Sequence, residues 1–136
     1  MATNGAVIRD LQRKIREAIH PVIPLDGRLA LVDFPNYSNV GDSAIWLGTI
    51  RYLFSIYKIR PVYVSTLDAF SGDELNGVLS KGPIFLQGGG NFGDLWPHHQ
   101  DFREMILRQY RDRPVVQLPQ SIHFQSEERL RRAADI

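Results

Sequence analysis

Four short apolar runs constrain this chain more than any other feature: Leu29-Ala30-Leu31-Val32-Asp33, Val62-Tyr63-Val64, Ile84-Phe85-Leu86-Gln87 and Val115-Val116-Gln117-Leu118. Each is continuous instead of alternating, which marks strands covered on both faces. Helical spacing fills the intervals. Ile8, Leu11, Ile15, Ala18 and Ile19 predict a helix over residues 6–20, ended by Pro21. Asp42 or Ser43 is placed to cap a second helix, whose apolar face is Leu47, Ile50, Leu53, Phe54 and Tyr57. Ser71-Gly72-Asp73-Glu74 has the form of a capping box for a short helix through Leu79, although Gly77 weakens it. Pro97 opens a helix carrying Phe102, Met105, Ile106 and Tyr110, and Ser126 opens a last one. Strand–helix alternation of this kind specifies an α/β fold with a parallel sheet and helices on both faces.

With 136 residues there is room for one domain. The net charge is +1, and the seven arginines of residues 101–136 are interspersed with six acids. No basic face for nucleic acid is therefore expected. No run approaches the roughly 20 apolar residues that span a bilayer, and the first residues lack a signal-peptide pattern. The absence of cysteine excludes disulfides and thiolate chemistry and suits a cytoplasmic location. The sequon Asn36-Tyr37-Ser38 is read as chance in that setting.

The loops entering the strands are short and plain, whereas three loops leaving them carry unusual chemistry: residues 33–42, 88–96 and 119–125. Ligands of parallel α/β sheets bind outside the carboxyl ends of the strands, so these loops should meet in one site. Gly88-Gly89-Gly90-Asn91-Phe92-Gly93 fits the spacing of a dinucleotide fingerprint. It follows the third strand, however, and no acidic residue ends the next one to hold a ribose. No Gly-Lys-Ser/Thr follows, which excludes a P-loop. What remains is a run able to adopt positive φ and to offer backbone N–H groups at a helix N-terminus to a polar oxygen, or a turn that only shapes the sheet. Asp42 suits a cap or a sugar hydroxyl, and Asp94 suits a general base or a cap. His98 and His99 point about 100° apart in a first helical turn, so one at most faces the site and they form a poor chelating pair. No metal site is expected. His99, His98 and His123 are candidates for acid–base work, while Trp96, Tyr37 and Phe34 could stack on a sugar or simply pack.

Three motifs in order, Asn39-Val40-Gly41-Asp42-Ser43-Ala44, Gly88-Gly89-Gly90-Asn91-Phe92-Gly93-Asp94 with Trp96-Pro97-x-His99-Gln100-x-Phe102-Arg103-Glu104, and Leu118-Pro119-Gln120-Ser121-Ile122-x-Phe124, resemble the polysaccharide pyruvyl transferase family of bacterial exopolysaccharide biosynthesis. The resemblance covers about residues 30–125. It implies a Rossmann-like lobe similar to half of a B-type glycosyltransferase. It also implies transfer of an enolpyruvyl unit from phosphoenolpyruvate to two hydroxyls of a sugar or lipid-linked oligosaccharide, giving a pyruvate ketal without a cofactor. On this footing Asp94 and His99 are expected to be catalytic. Asn39, Gly41, Asp42, Gly89, Gly90, Asn91, Trp96, Gln120 and Ser121 are expected to bind substrate. Family members carry donor-binding Arg and His residues in a second lobe, and no arginine precedes Arg103 near the glycine run. Residues 1–136 are thus expected to be one N-terminal lobe, inactive alone and prone to self-association where the other lobe packs. A non-enzymatic sugar-binding module and a lobe of a nucleotide-sugar glycosyltransferase stay open as alternatives.

Overall fold

The computed structural model describes residues 4–136. Its centre is a four-stranded parallel sheet built from β1 (Ala30–Val32), β2 (Tyr63–Ser65), β3 (Ile84–Leu86) and β5 (Val115–Gln117), in the order β2-β1-β3-β5. Side chains alternate across the pleat, and both faces are packed. Ala30, Val32, Ile84 and Leu86 join Leu75, Phe102 and Ile106 on one side. Leu29, Leu31 and Phe85 join Leu53 and Leu118 on the other, with Ile19, Trp46 and Ile50 against them. Hence α3 (Gly72–Val78) and α4 (Pro97–Gln109) cover one face, and α2 (Val40–Tyr52) covers the opposite one with the end of α1 (Asn4–Ile19). The chain leaves β1 through α2 to one neighbour and returns through α3 to the other, so β1 and β3 flank the point where the winding reverses. This is the expected Rossmann-like α/β architecture.

Local chemistry explains the helix ends. Ser71 Oγ accepts the Glu74 N–H at 3.3 Å and Ser126 Oγ accepts the Arg129 N–H at 3.3 Å, which starts α3 and α5 (Glu127–Ala134). Pro97 occupies the first turn of α4. Beyond Tyr52 the second helix continues as a π-helical turn, Leu53–Tyr57, and stops at Lys58 in the left-handed conformation.

Two expectations are corrected. The cap of α2 is Asn39, not Asp42 or Ser43: its Oδ1 accepts the N–H groups of Gly41 (2.9 Å) and Asp42 (3.3 Å), so the helix begins at Val40. Asn39 has the extended backbone that a cap requires, whereas Asp42 already lies within the first turn.

The glycine run does not form a loop at a helix N-terminus. Residues Gly89–Gly93 are a strand, β4, paired in parallel with β6 (Gln120–His123). The pairing Gly89↔Gln120 continues the offset of Leu86↔Gln117, and one residue bulges out before Phe92↔Ile122. β3 and β5 are therefore each followed, after a two-residue break, by a strand of a separate two-stranded ribbon. Gly93 (φ +124°) and Gly89 (φ +141°) make the ribbon possible. A Cβ on Gly93 would collide with the carbonyl of His123, and one on Gly89 would lie 3.0 Å from the Asp42 carboxylate. Much of the N–H capacity reserved for a ligand is consumed here instead: Gly89 donates to Pro119, Asp94 to His123 and Gly93 to Gln100.

Candidate functional site

A cleft of about 500 Å³ opens where β1 and β3 part, above their carboxyl ends. One wall is the β1–α2 connection, with Tyr37, Ser38, Asn39 and Asp42. The other is the β4 ribbon and the start of α4, with Gly90, Asn91, Trp96 and His99. Six of the eleven residues expected at the site therefore line one cavity: Asn39, Asp42, Gly90, Asn91, Trp96 and His99. Tyr37 joins them from the residues that could equally have been packing. Ser38 had no signal beyond its loop.

The remaining expected residues lie elsewhere. Gly41 is inside the first turn of α2, and Gly89 sits beneath the cleft against Asp42. Gln120 donates Nε2 to Asn91 Oδ1 (2.8 Å) and to the Gln87 carbonyl (3.0 Å), supporting the wall from behind. Ser121, His98 and His123 are solvent-exposed away from the lining. Asp94 is engaged with a loop: its carboxylate accepts the N–H groups of Gln125 (2.8 Å) and Ser126 (2.7 Å). Those bonds favour the charged form and hold the carboxyl below its ordinary range. That environment suits a clamp on the β6–α5 connection, not a proton acceptor.

His99 lines the cleft with its ring held against a buried carboxylate. Its Nδ1 lies 2.8 Å from Asp33 Oδ1, with the Asp33 side chain 2% and the His99 side chain 13% exposed. Asp33 follows β1 and adopts φ +69°, which few non-glycine residues do, although Asp tolerates it better than most. Its second oxygen accepts Asn91 Nδ2 at 3.3 Å. Tyr37 stands edge-on to the imidazole, with ring centroids 5.8 Å apart. The Tyr37 hydroxyl donates to Asp42 Oδ2 at 3.1 Å. Partial burial and that carboxylate push its pKa well above the ordinary value, so it remains a neutral donor.

Arg103 is 1% exposed and sits one helical turn after His99. Its Nε donates to Gln117 Oε1 (2.6 Å), and its terminal nitrogens reach Asn91 Oδ1 (2.9 Å) and Gln100 Oε1 (3.1 Å). The guanidinium also stacks on Phe92 at 4.6 Å. Burial pulls its pKa down to about 10, against the opposing charges of Asp33 and Glu104. All of its reach is turned inward, so it adds no cation to the cleft. Among the described residues, no three His, Asp or Glu side chains converge as a metal site requires.

Asp33, at the start of the 33–42 loop, and Arg103, within the second motif, were given no role in the sequence reading. Asp33 looked like the last residue of a strand. Arg103 had a usable signal, since its spacing from His99 places both on one face of α4.

These features define a class: a Rossmann-like α/β fold whose switch-point cleft is lined by aromatic faces, amides, a carboxylate and an imidazole. The polysaccharide pyruvyl transferase family matches residues 39–136, and the chain belongs to that family. It is 43% identical over 116 residues to EpsO of Bacillus subtilis (strain 168), named as a putative pyruvyl transferase, covering 85% of this chain and 35% of that protein. Pyruvyl transferase 1 of Schizosaccharomyces pombe is 34% identical over 113 residues, covering 79% and 28%. General stress protein 30 of Bacillus subtilis is 27% identical over 109 residues, covering 74% and 30%. The chain spans about a third of the length of the curated relatives it matches. Asp33 and Tyr37 fall just before the residues that the family matches.

Proposed function

We propose that this chain is the acceptor-binding lobe of a sugar pyruvyl transferase, with phosphoenolpyruvate as donor and a sugar or lipid-linked oligosaccharide as acceptor in polysaccharide biosynthesis. The observation that carries the reading is the character of the cleft: among the described residues, its lining holds no lysine or arginine. Trp96, 60% exposed at the rim, offers a face for a pyranose ring. The Asp42 carboxylate, which the Tyr37 hydroxyl occupies at one oxygen, offers an acceptor for a sugar hydroxyl, and the Asn39 amide adds a donor beside it. A donor carrying phosphate and carboxylate needs guanidinium or ammonium groups, which this lining does not supply.

The reaction requires a proton at C3 of the enol, attack of an acceptor hydroxyl oxygen on C2, departure of phosphate, and closure by a second hydroxyl to the ketal. His99 faces the cleft and is assigned the role of taking the proton from the attacking hydroxyl. Asp94, engaged with the β6–α5 connection, is given no chemical step. Gly41, Gly89, Gln120 and Ser121 are assigned to shaping the walls. The lobe alone holds the acceptor without turning it over, in the cytoplasm, where phosphoenolpyruvate is available.

Saturation-transfer NMR of the purified chain with neutral oligosaccharides tests the reading. Enhancement on sugar protons that disappears in Trp96→Ala is expected, with no phosphate released from phosphoenolpyruvate. Tight binding of a uridine nucleotide in place of the sugar would overturn it in favour of a nucleotide-sugar glycosyltransferase lobe.

A further inference from the structure

The hydrogen bonds around His99 have a direction, and that direction starts at Arg103. An arginine only donates. Asn91 Oδ1 accepts from Arg103 (2.9 Å) and from Gln120 Nε2 (2.8 Å), so the carbonyl end of that amide must face them. The NH₂ end is thereby turned to Asp33, where Nδ2 meets Oδ2 at 3.3 Å. The second Asp33 oxygen is left to face His99 Nδ1 at 2.8 Å. A carboxylate only accepts, so the hydrogen in that contact belongs to Nδ1. In the neutral ring the lone pair is then on Nε2.

We infer that Asp33 is a positioning residue that holds neutral His99 as the Nδ1–H tautomer, and that Arg103, acting through Asn91, fixes the Asp33 carboxylate in that role. The inference rests on the assignment of His99 as the base and supplies what that assignment lacks: a reason for the lone pair to be on Nε2. Free imidazole side chains favour hydrogen on Nε2, which would leave His99 without its acceptor lone pair there. The local backbone serves the same end. A left-handed residue at the end of β1 turns its side chain toward α4, and few side chains tolerate that conformation. The arrangement also accounts for a buried arginine whose donors are turned to Gln117, Gln100 and Asn91. Its charge balances Asp33 and Glu104, and its fixed fork of donors keeps the Asn91 amide from flipping.

The test is a long-range proton–nitrogen correlation spectrum of the histidine rings in the ¹⁵N-labelled chain, with His99 assigned by its loss in His99→Asn. The wild type should show a pyrrole-like Nδ1 and a pyridine-like Nε2, with a roughly tenfold or greater preference for that tautomer. Asp33→Asn keeps the shape and tolerates positive φ, and should turn the ring into a mixture of tautomers. Asn91→Leu, which leaves Asp33 in place, should reduce the preference to an intermediate value. A wild-type ring that is mainly Nε2–H overturns the inference whatever the variants do. So does an unchanged ratio in a folded Asp33→Asn. An unchanged ratio in Asn91→Leu removes the arm that runs through Arg103. Failure of the functional reading looks different: the wild type would show the Nδ1–H tautomer, and added oligosaccharide would leave the His99 signals unmoved.

Discussion

Helices α1 and α4 carry similar apolar spacing in the sequence and end in opposite circumstances. In α4, Phe102 and Ile106 are buried against the sheet, and so are the polar residues Gln100, Arg103 and Glu104. In α1 no residue is buried. Val7, Ile8, Leu11 and Ile15 are 41–55% exposed, and Ile19 at the end is the point of attachment to the core. Apolar periodicity records that a helix face is suited to burial; it does not say that the cover lies within the same chain. The helix with the site also buries more polarity than its pattern announces, because each polar group has a partner: Gln100 Nε2 donates to Glu104 at 3.1 Å, and Arg103 is satisfied by three side chains.

The largest effect that this contrast predicts is at Arg103. Arg103→Met keeps much of the volume but strips donors from Asn91, Gln117 and Gln100 and leaves Asp33 and Glu104 without their buried counter-charge. Stability should fall by about 3–5 kcal/mol, read as a shift of the urea midpoint. A loss below about 1 kcal/mol would mean that the network adapts and that α4 is held by its apolar contacts alone. Those contacts are sampled by Ile106→Ala, which empties a fully buried position between α4 and β3 and should cost about 2–5 kcal/mol.

The same contrast explains what the sequence could disclose. Continuous apolar runs located all four strands of the sheet; burial on both faces explains them in the central strands β1 and β3, whereas Val64 on the edge strand β2 is half exposed. Ser71 and Ser126 announced their helices, because a cap is a local contact between residues three apart. The ribbon β4–β6 was illegible: glycines carry no side-chain pattern, and its partner strand is some thirty residues away. The roles of Asp33 and Arg103 were hard to read for a related reason, the one clue being the spacing of Arg103 from His99. A buried charge is legible only through its partners, and here those come from β4, α4 and β5, which only the fold brings together.

Acid should discriminate the Asp94 clamp from the site it borders. The Gln125 and Ser126 N–H groups lower the folded-state carboxyl below its ordinary 3.8. A depressed carboxyl stabilises the fold fully above the unfolded value, and the contribution is lost as pH falls through the folded one. Asp94→Asn should therefore melt below the wild type near neutrality, with the gap closing once the pH drops under about 4. Equal acid dependence of the two proteins would show that the backbone bonds are not formed in solution.

The smallest expected effect falls on α1, and its smallness is the point. Leu11 is 52% exposed on a helix with no buried residue, so Leu11→Ser exchanges one solvated side chain for another. In the monomer the change should stay within about 0.5 kcal/mol, beside the several kcal/mol of Ile106→Ala. Self-association through the bare stripe would alter that result in a recognisable way. The cost of Leu11→Ser would then grow with protein concentration, because a face covered by a second copy stabilises the fold by mass action. Thermal melts of wild type and variant across a hundredfold range of concentration separate the cases. Parallel, concentration-independent curves mean that α1 stands bare, and a gap that widens with concentration means that its stripe finds cover in another copy.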